Sequence, residues 1–292
     1  MILMNYAPYT PFDHPRTVGP PGLNPMDMAD WVVVHDDYAA QMAYRAKLLE
    51  DHREIVLACN PEAQAAAGEL YDMVLHHLAH RPDFQCRSDH ATRPDGVTVS
   101  LDPDRPLETL NCLTAEDWCL LLPDDASGEY RLVGAILCFP SRWLLTEKLN
   151  RPLTMIHEPV PEYGDSLARR VNRMFETLRP ERALVRCNWL VHGDPELYRP
   201  IGREQPEVDR TEVADQGIFL RTERQSLVRL PETGAVVFGI KTSVTRLESL
   251  TPPQAGALKV ALGDLTQEML DYSERGEAFR AAMTTLEAVA SG

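Results

Sequence analysis

A chain of 292 residues with 44% hydrophobic and 25% charged residues carries enough apolar material for a substantial core, which excludes wholesale disorder. Its 29 Lys and Arg against 44 Asp and Glu leave a net charge of −15, which argues against nucleic acid or an anionic membrane surface and favours a basic partner or a cationic substrate. The six cysteines form no CxxC pair and no zinc-spaced cluster, no apolar stretch is long enough to span a bilayer, and no basic leader opens the chain, so reduced thiols and a cytoplasmic location are expected.

Residues 1–26 are rich in Pro and Gly and predict an extended arm or a series of turns. Asn24-Pro25 offers a helix cap with proline at the first helical position, and Asp27 suits the positive end of a helix dipole. Apolar residues at Tyr38, Met42, Leu48 and Leu49 predict a helix from about Asp37 to His52, and another covers Pro61 to Ala79. His76 and His80 share a helical face, but without an HExxH pattern or an obvious third ligand they read as a solvated helix end. The Asp-, Arg-, Pro- and Gly-rich stretch from Arg87 to Leu107 predicts a surface loop.

Trp118–Leu122 and Arg131–Phe139 are predicted strands joined by a polar turn. Leu144–Leu149 reads as a short amphipathic helix, and His157 follows between apolar Met155-Ile156 and a Glu-Pro-Val-Pro corner. Pro159 and Pro161 stop any ordinary helix there and stiffen the backbone around the imidazole. On residue type alone, a histidine beside apolar neighbours is more often a satisfied core side chain than a ligand. A helix from Asp165 to Leu178 and strands over Leu184–Val191, Gln225–Leu230 and Ala235–Val244 follow, and the segments from Pro252 to Leu270 and Glu274 to Val289 are predicted helical. Two strands, a helical excursion carrying His157 and three more strands give an α+β fold: a PAS-like five-stranded antiparallel sheet with a helical crossover, wrapped by N-terminal and C-terminal helices. The expected division is an N-terminal arm and helical layer over 1–107, a core over 108–250 and C-terminal helices over 251–292.

Ordered motifs run along nearly the whole chain: Trp31, Asp37-Tyr38, Arg45 with Leu48-Leu49, Glu116-Asp117-Trp118-Cys119-Leu120-Leu121, Phe139-Pro140-Ser141-Arg142-Trp143, Glu147-Lys148-Leu149, Ile156-His157-x-Pro159-Val160-Pro161-x-Tyr163, Arg186-x-Asn188-Trp189, Asp194-Pro195-Glu196-Leu197-Tyr198 and Glu223-Arg224-Gln225. In these the chain resembles the haem-dependent oxidative N-demethylase alpha-subunit-like family, whose PAS-type domain carries haem b. It departs from the family at Ser243-Val244, where an aromatic is more usual.

The resemblance implies that His157 is the axial ligand of haem iron, a role suited to neutral imidazole. It implies guanidinium or ammonium partners for the propionates, for which Arg142 and Lys148 stand beside the crossover helix. For the distal side the sheet residues Asn188, Arg224 and Gln225 stand out as polar groups within apolar strands, and Tyr163 as a donor to substrate or to a propionate. The implied reaction is oxidative N-demethylation of a small secondary amine such as dimethylamine, with dioxygen consumed and formaldehyde released. Since no GxGxxG fingerprint and no iron–sulfur cysteine set is visible, electrons are expected from an external NAD(P)H, flavin and iron–sulfur reductase. Two other readings are a haem-PAS gas sensor, which would need an output module, and a tailoring oxygenase of the same fold with a larger substrate.

Overall fold

The computed structural model describes residues 1–19, 22–124, 128–141, 143–157, 165–200, 217–266 and 276–292. In chain order the strands are β1 (Asn24–Pro25), β2 (Leu57–Cys59), β3 (Gln85–Cys86), β4 (His90–Thr92), β5 (Thr98–Ser100), β6 (Asp117–Asp124), β7 (Glu129–Ile136), β8 (Leu184–His192), β9 (Phe219–Arg229) and β10 (Val236–Arg246). The helices are α1 (Tyr38–Asp51), α2 (Arg53–Val56), α3 (Gln64–Ala79), α4 (Pro106–Leu113), α5 (Leu145–Lys148), α6 (Leu153–His157), α7 (Asp165–Thr177), α8 (Pro252–Gly263) and α9 (Gly276–Ala290).

The large sheet is antiparallel throughout and runs β1-β8-β9-β10-β6-β7-β2. Its five long strands are those anticipated from the sequence, in the order β7-β6-β10-β9-β8, but the sheet has seven strands because the N-terminal segment adds a short strand to each edge. Asn24-Pro25 therefore does not start a helix. A residue before proline is pushed toward extended backbone, and proline, lacking an N–H, is tolerated on an edge strand. Asp27 caps only a short 3-10 turn, Met28–Asp30, by accepting from the Ala29 N–H at 2.9 Å. The stretch expected to be a loop, 87–107, instead holds β4, β5 and the start of α4, whose first turn carries Pro106.

Two apolar layers flank the sheet. On one face, Leu145, Leu153, Phe175 and Leu178 of the crossover segment pack with Leu121, Leu132, Leu227 and Ile240 of the sheet. On the other, a continuous cluster joins Trp31, Leu70 and Leu110 to Trp118, Val228 and Val237. A third cluster seats α8 and α9 near Val191 and Leu220, with Phe12 of the N-terminal arm against it. Gly239 is required here: a Cβ at that position would come within 2.7 Å of the Trp118 ring and 2.6 Å of the Ser226 Oγ.

The start of the crossover is fastened from both sides. Buried Asp117 forms an ion pair with Arg45 of α1 at 2.6 Å and accepts the Cys138 and Phe139 N–H groups at 2.7 and 3.0 Å. Further on, Leu132 of β7 accepts the Asn150 N–H at 2.8 Å and donates its own N–H to the Arg151 carbonyl at 3.2 Å. Asn150 turns the chain with φ of 66°, a left-handed value that asparagine tolerates better than most residues. The backbone entering α6 is thus stitched to β7 a few residues before His157.

Candidate functional site

His157 ends α6, half-buried on the crossover side of the sheet. Its Nδ1 lies 2.9 Å from the Leu153 carbonyl oxygen, one helical turn earlier. A carbonyl only accepts, so Nδ1 carries the proton and Nε2 carries the lone pair. Burial lowers the pKa of the ring to about 4; the Leu153 hydrogen bond raises it, and Lys148 and Arg186 lower it further. At neutral pH the imidazole is therefore uncharged, with its tautomer set by the backbone, as a ligand to a transition metal requires. Ile156 beside it packs into the crossover-side apolar cluster.

The cross-strand register sorts the remaining predicted residues between the two faces. Partners opposite each other in an antiparallel pair project to the same side, and neighbours along a strand to opposite sides. Arg186 faces Gln225, and Asn188 faces Glu223. Gln225 in turn pairs with Ile240, a member of the crossover-side cluster. Asn188 and Gln225 thus lie on the same side of the sheet as His157.

Arg224 does not. It pairs with Cys187 and with Lys241, on the far face. Its guanidinium donates to the Asp30 carbonyl at 2.6 Å and the Trp31 carbonyl at 3.4 Å, and lies 3.2 Å from the Met26 sulfur, so it ties the N-terminal segment to the sheet. Nor is it paired with Glu223, which accepts instead from Arg221 at 3.1 Å and Gln225 at 3.2 Å. By the same alternation Ser243 shares the face of Lys241, whereas Val244, paired with Arg221, shares the face of Ile240 and Gln225, so only the second residue of the departure from the family pattern lies on the crossover face.

The residue that sequence reasoning passed over is Arg186, noted only as part of a motif. It sits on the crossover face, near enough to His157 to lower its pKa. Its Nε is buried without a hydrogen-bond partner among the described residues, and burial lowers the pKa of the guanidinium itself. An arginine two positions from an asparagine in an otherwise apolar strand was the available signal.

Lys148, at the end of α5, lies near His157 and stacks its ammonium 4.5 Å from the centre of the Trp143 ring. Trp143 packs against the crossover-side cluster, as a core residue. Arg142 and Tyr163 lie outside the described residues. At the far end of α3 the His76 and His80 rings sit 4.5 Å apart, and the His80 Nδ1 donates to the His76 carbonyl at 2.8 Å. Among the described residues no three His, Cys, Asp or Glu side chains are grouped to hold a metal ion, and no helix is long and apolar enough to cross a membrane.

Two features of the crossover side fit a haem group: a neutral imidazole with Nε2 as its basic atom beside apolar side chains, and a half-buried guanidinium whose Nε has no partner among the described residues. A model of the family described as haem-dependent oxidative N-demethylase, alpha subunit-like, matches residues 22–283, and the chain belongs to that family.

Proposed function

We propose that this member of the haem-dependent oxidative N-demethylase, alpha subunit-like family holds haem b through His157 and uses dioxygen to remove a methyl group from a secondary amine such as dimethylamine. The observation that carries the reading is the His157 ring, kept neutral and held by the Leu153 carbonyl so that Nε2 is the ligating atom. A PAS-like description of the core is supported by the strand order β7-β6-β10-β9-β8, with α5, α6 and α7 inserted between the second and third of these strands in sequence.

Bound there, haem supplies the iron at which dioxygen is reduced. One oxygen atom leaves in formaldehyde and the other in water, so two electrons and two protons enter for each methyl group removed. The chain has no dinucleotide fingerprint and no cysteine set for an iron–sulfur cluster, and the electrons are assigned to an NAD(P)H-, flavin- and iron–sulfur-containing reductase. The family's description as an alpha subunit implies further subunits, among which such a reductase belongs.

The chain's own residues position and exclude. The Leu153 carbonyl keeps the proton on Nδ1, so that Nε2 is the atom that would hold the iron. Asn188 and Gln225 present amides from the sheet toward the crossover, where they orient the substrate. Arg142 and Lys148 are proposed at the propionates and Tyr163 at the substrate. Arg224, spent on the Asp30 and Trp31 carbonyls, is proposed as a brace and not as a partner of dioxygen.

The test is the visible spectrum of the purified protein, oxidised, reduced with dithionite, and reduced under carbon monoxide. A Soret band that shifts at each step and is missing from a folded His157→Ala variant, together with formaldehyde formed from dimethylamine, is the expected result. A featureless visible region after haem is added back would overturn the reading.

A further inference from the structure

Among the described residues no carboxylate is hydrogen-bonded to the Arg186 guanidinium. Arg186 is half-buried, and its Nε, shut away from water, loses hydration that an acceptor would restore; other arginines of the fold have carboxylate or carbonyl partners, although the Arg45 Nε is also unpartnered. Arg45 is paired with Asp117, Arg221 has Glu223 with the Phe139 and Leu197 carbonyls, and Arg224 has the Asp30 and Trp31 carbonyls. Glu223 is the carboxylate near Arg186, yet its two oxygens already receive Arg221 and Gln225. Among the described residues the Arg186 Nε remains buried and unpartnered, on the face that carries His157.

Resting on the reading of that face as the haem and substrate site, we propose that Arg186 is its carboxylate-binding residue. The planar fork of arginine matches two carboxylate oxygens, and the neighbouring Asn188 amide offers a further donor on the same face. Two sources present this chemistry: a propionate of the haem, or a carboxylate on the amine itself. The second source narrows the substrate class to N-methyl amino acids, because a bare dimethylammonium ion brings another positive charge toward Arg186, whereas a zwitterion brings the missing negative one. The chain's net charge of −15 describes its surface and does not set the local sign at this face.

The experiment compares the wild-type protein with Arg186→Gln and Arg186→Lys, each checked for an unchanged melting transition. Haem loss is followed by transfer to excess apomyoglobin. Formaldehyde formation is measured with dimethylamine and with N-methylglycine, and binding of radiolabelled N-methylglycine is measured by equilibrium dialysis, which needs neither turnover nor haem. Loss of a charge-assisted pair is worth about tenfold or more. If the carboxylate is a propionate, Arg186→Gln speeds haem loss by that factor and leaves the two amines in the same ratio. If it belongs to the substrate, Arg186→Gln leaves haem loss alone, weakens N-methylglycine binding and raises the KM for N-methylglycine about tenfold more than that for dimethylamine. In either case Arg186→Lys recovers part of the effect. Unchanged haem loss together with unchanged or undetectable N-methylglycine binding overturns the proposal. Failure to turn over any amine would count against N-demethylation, while haem transfer and dialysis would still decide the role of Arg186.

Discussion

Glu129, at the start of β7, accepts both the backbone N–H of Thr154 at 2.9 Å and the Thr154 hydroxyl. One carboxylate on the sheet thus holds the first turn of α6, the helix that ends in His157. Glu129→Gln keeps the shape and removes the charge. It should lower the melting temperature only slightly, because hydrogen bonds to a half-exposed carboxylate contribute about 1 kcal/mol each. Haem should nevertheless dissociate faster, since the charge-assisted tie of α6 to the strand is weakened. Haem transfer to apomyoglobin is the readout, and unchanged transfer would show that the Leu132–Asn150–Arg151 stitching suffices by itself.

Asp117 ties α1 to the exit of β7. Both it and Arg45 are almost completely buried, and Asp117 also accepts two backbone N–H groups. Removing one partner of such a pair strands the other in the core and costs about 3–5 kcal/mol. Asp117→Asn should therefore shift the denaturant midpoint markedly. Arg45→Met, which leaves the carboxylate with its two N–H donors, should cost less than Arg45→Ala, which also opens a cavity. Equal midpoints for these two Arg45 variants would refute that account.

The long apolar strands and the main helices could be read from the sequence because burial there follows continuous apolarity or helical spacing. β9 was the exception: it begins at Phe219, six residues before the expected start at Gln225. The charged residues Arg221, Glu223 and Arg224 disguised it, although each has found partners inside the fold. The short edge strand at Asn24-Pro25 was hidden by a dipeptide that also suits a helix start. Within the proposed site, His157 stood out in the sequence as a residue type in a stiff context. Which of Arg186 and Arg224 shares its face was not legible, because that depends on cross-strand register, and a shift of one residue sends every side chain to the other face.

Arg224→Ala offers a direct check of that register. Its guanidinium holds the Asp30 and Trp31 carbonyls against the sheet, with Met26 alongside. Deleting it should lower stability by about 1–3 kcal/mol, the cost of leaving the buried Trp31 carbonyl and the part-buried Asp30 carbonyl without this donor. Proteolysis within residues 1–31 should become faster. Formaldehyde formed per haem should stay unchanged. A variant that keeps its melting temperature but loses turnover would return Arg224 to the reacting side.

His157 predicts an unusual pH dependence. Its pKa is lowered from 6.5 to about 4, chiefly by burial. Between those two values the unfolded chain binds a proton at this ring that the folded chain does not, so this residue's contribution to stability is complete above pH 6.5 and declines as the pH falls toward 4. Across the same window the folded ring stays neutral and Nε2 keeps its lone pair. Haem binding, followed by Soret absorbance in acid titration, should stay level through the ordinary histidine range of about pH 6.5 and fail only as the pH nears about 4. Circular dichroism recorded in parallel separates loss of ligation from unfolding. A Soret midpoint near 6.5 with the fold intact would mean that the ring is solvated and freely protonated, and the axial assignment would fall with it.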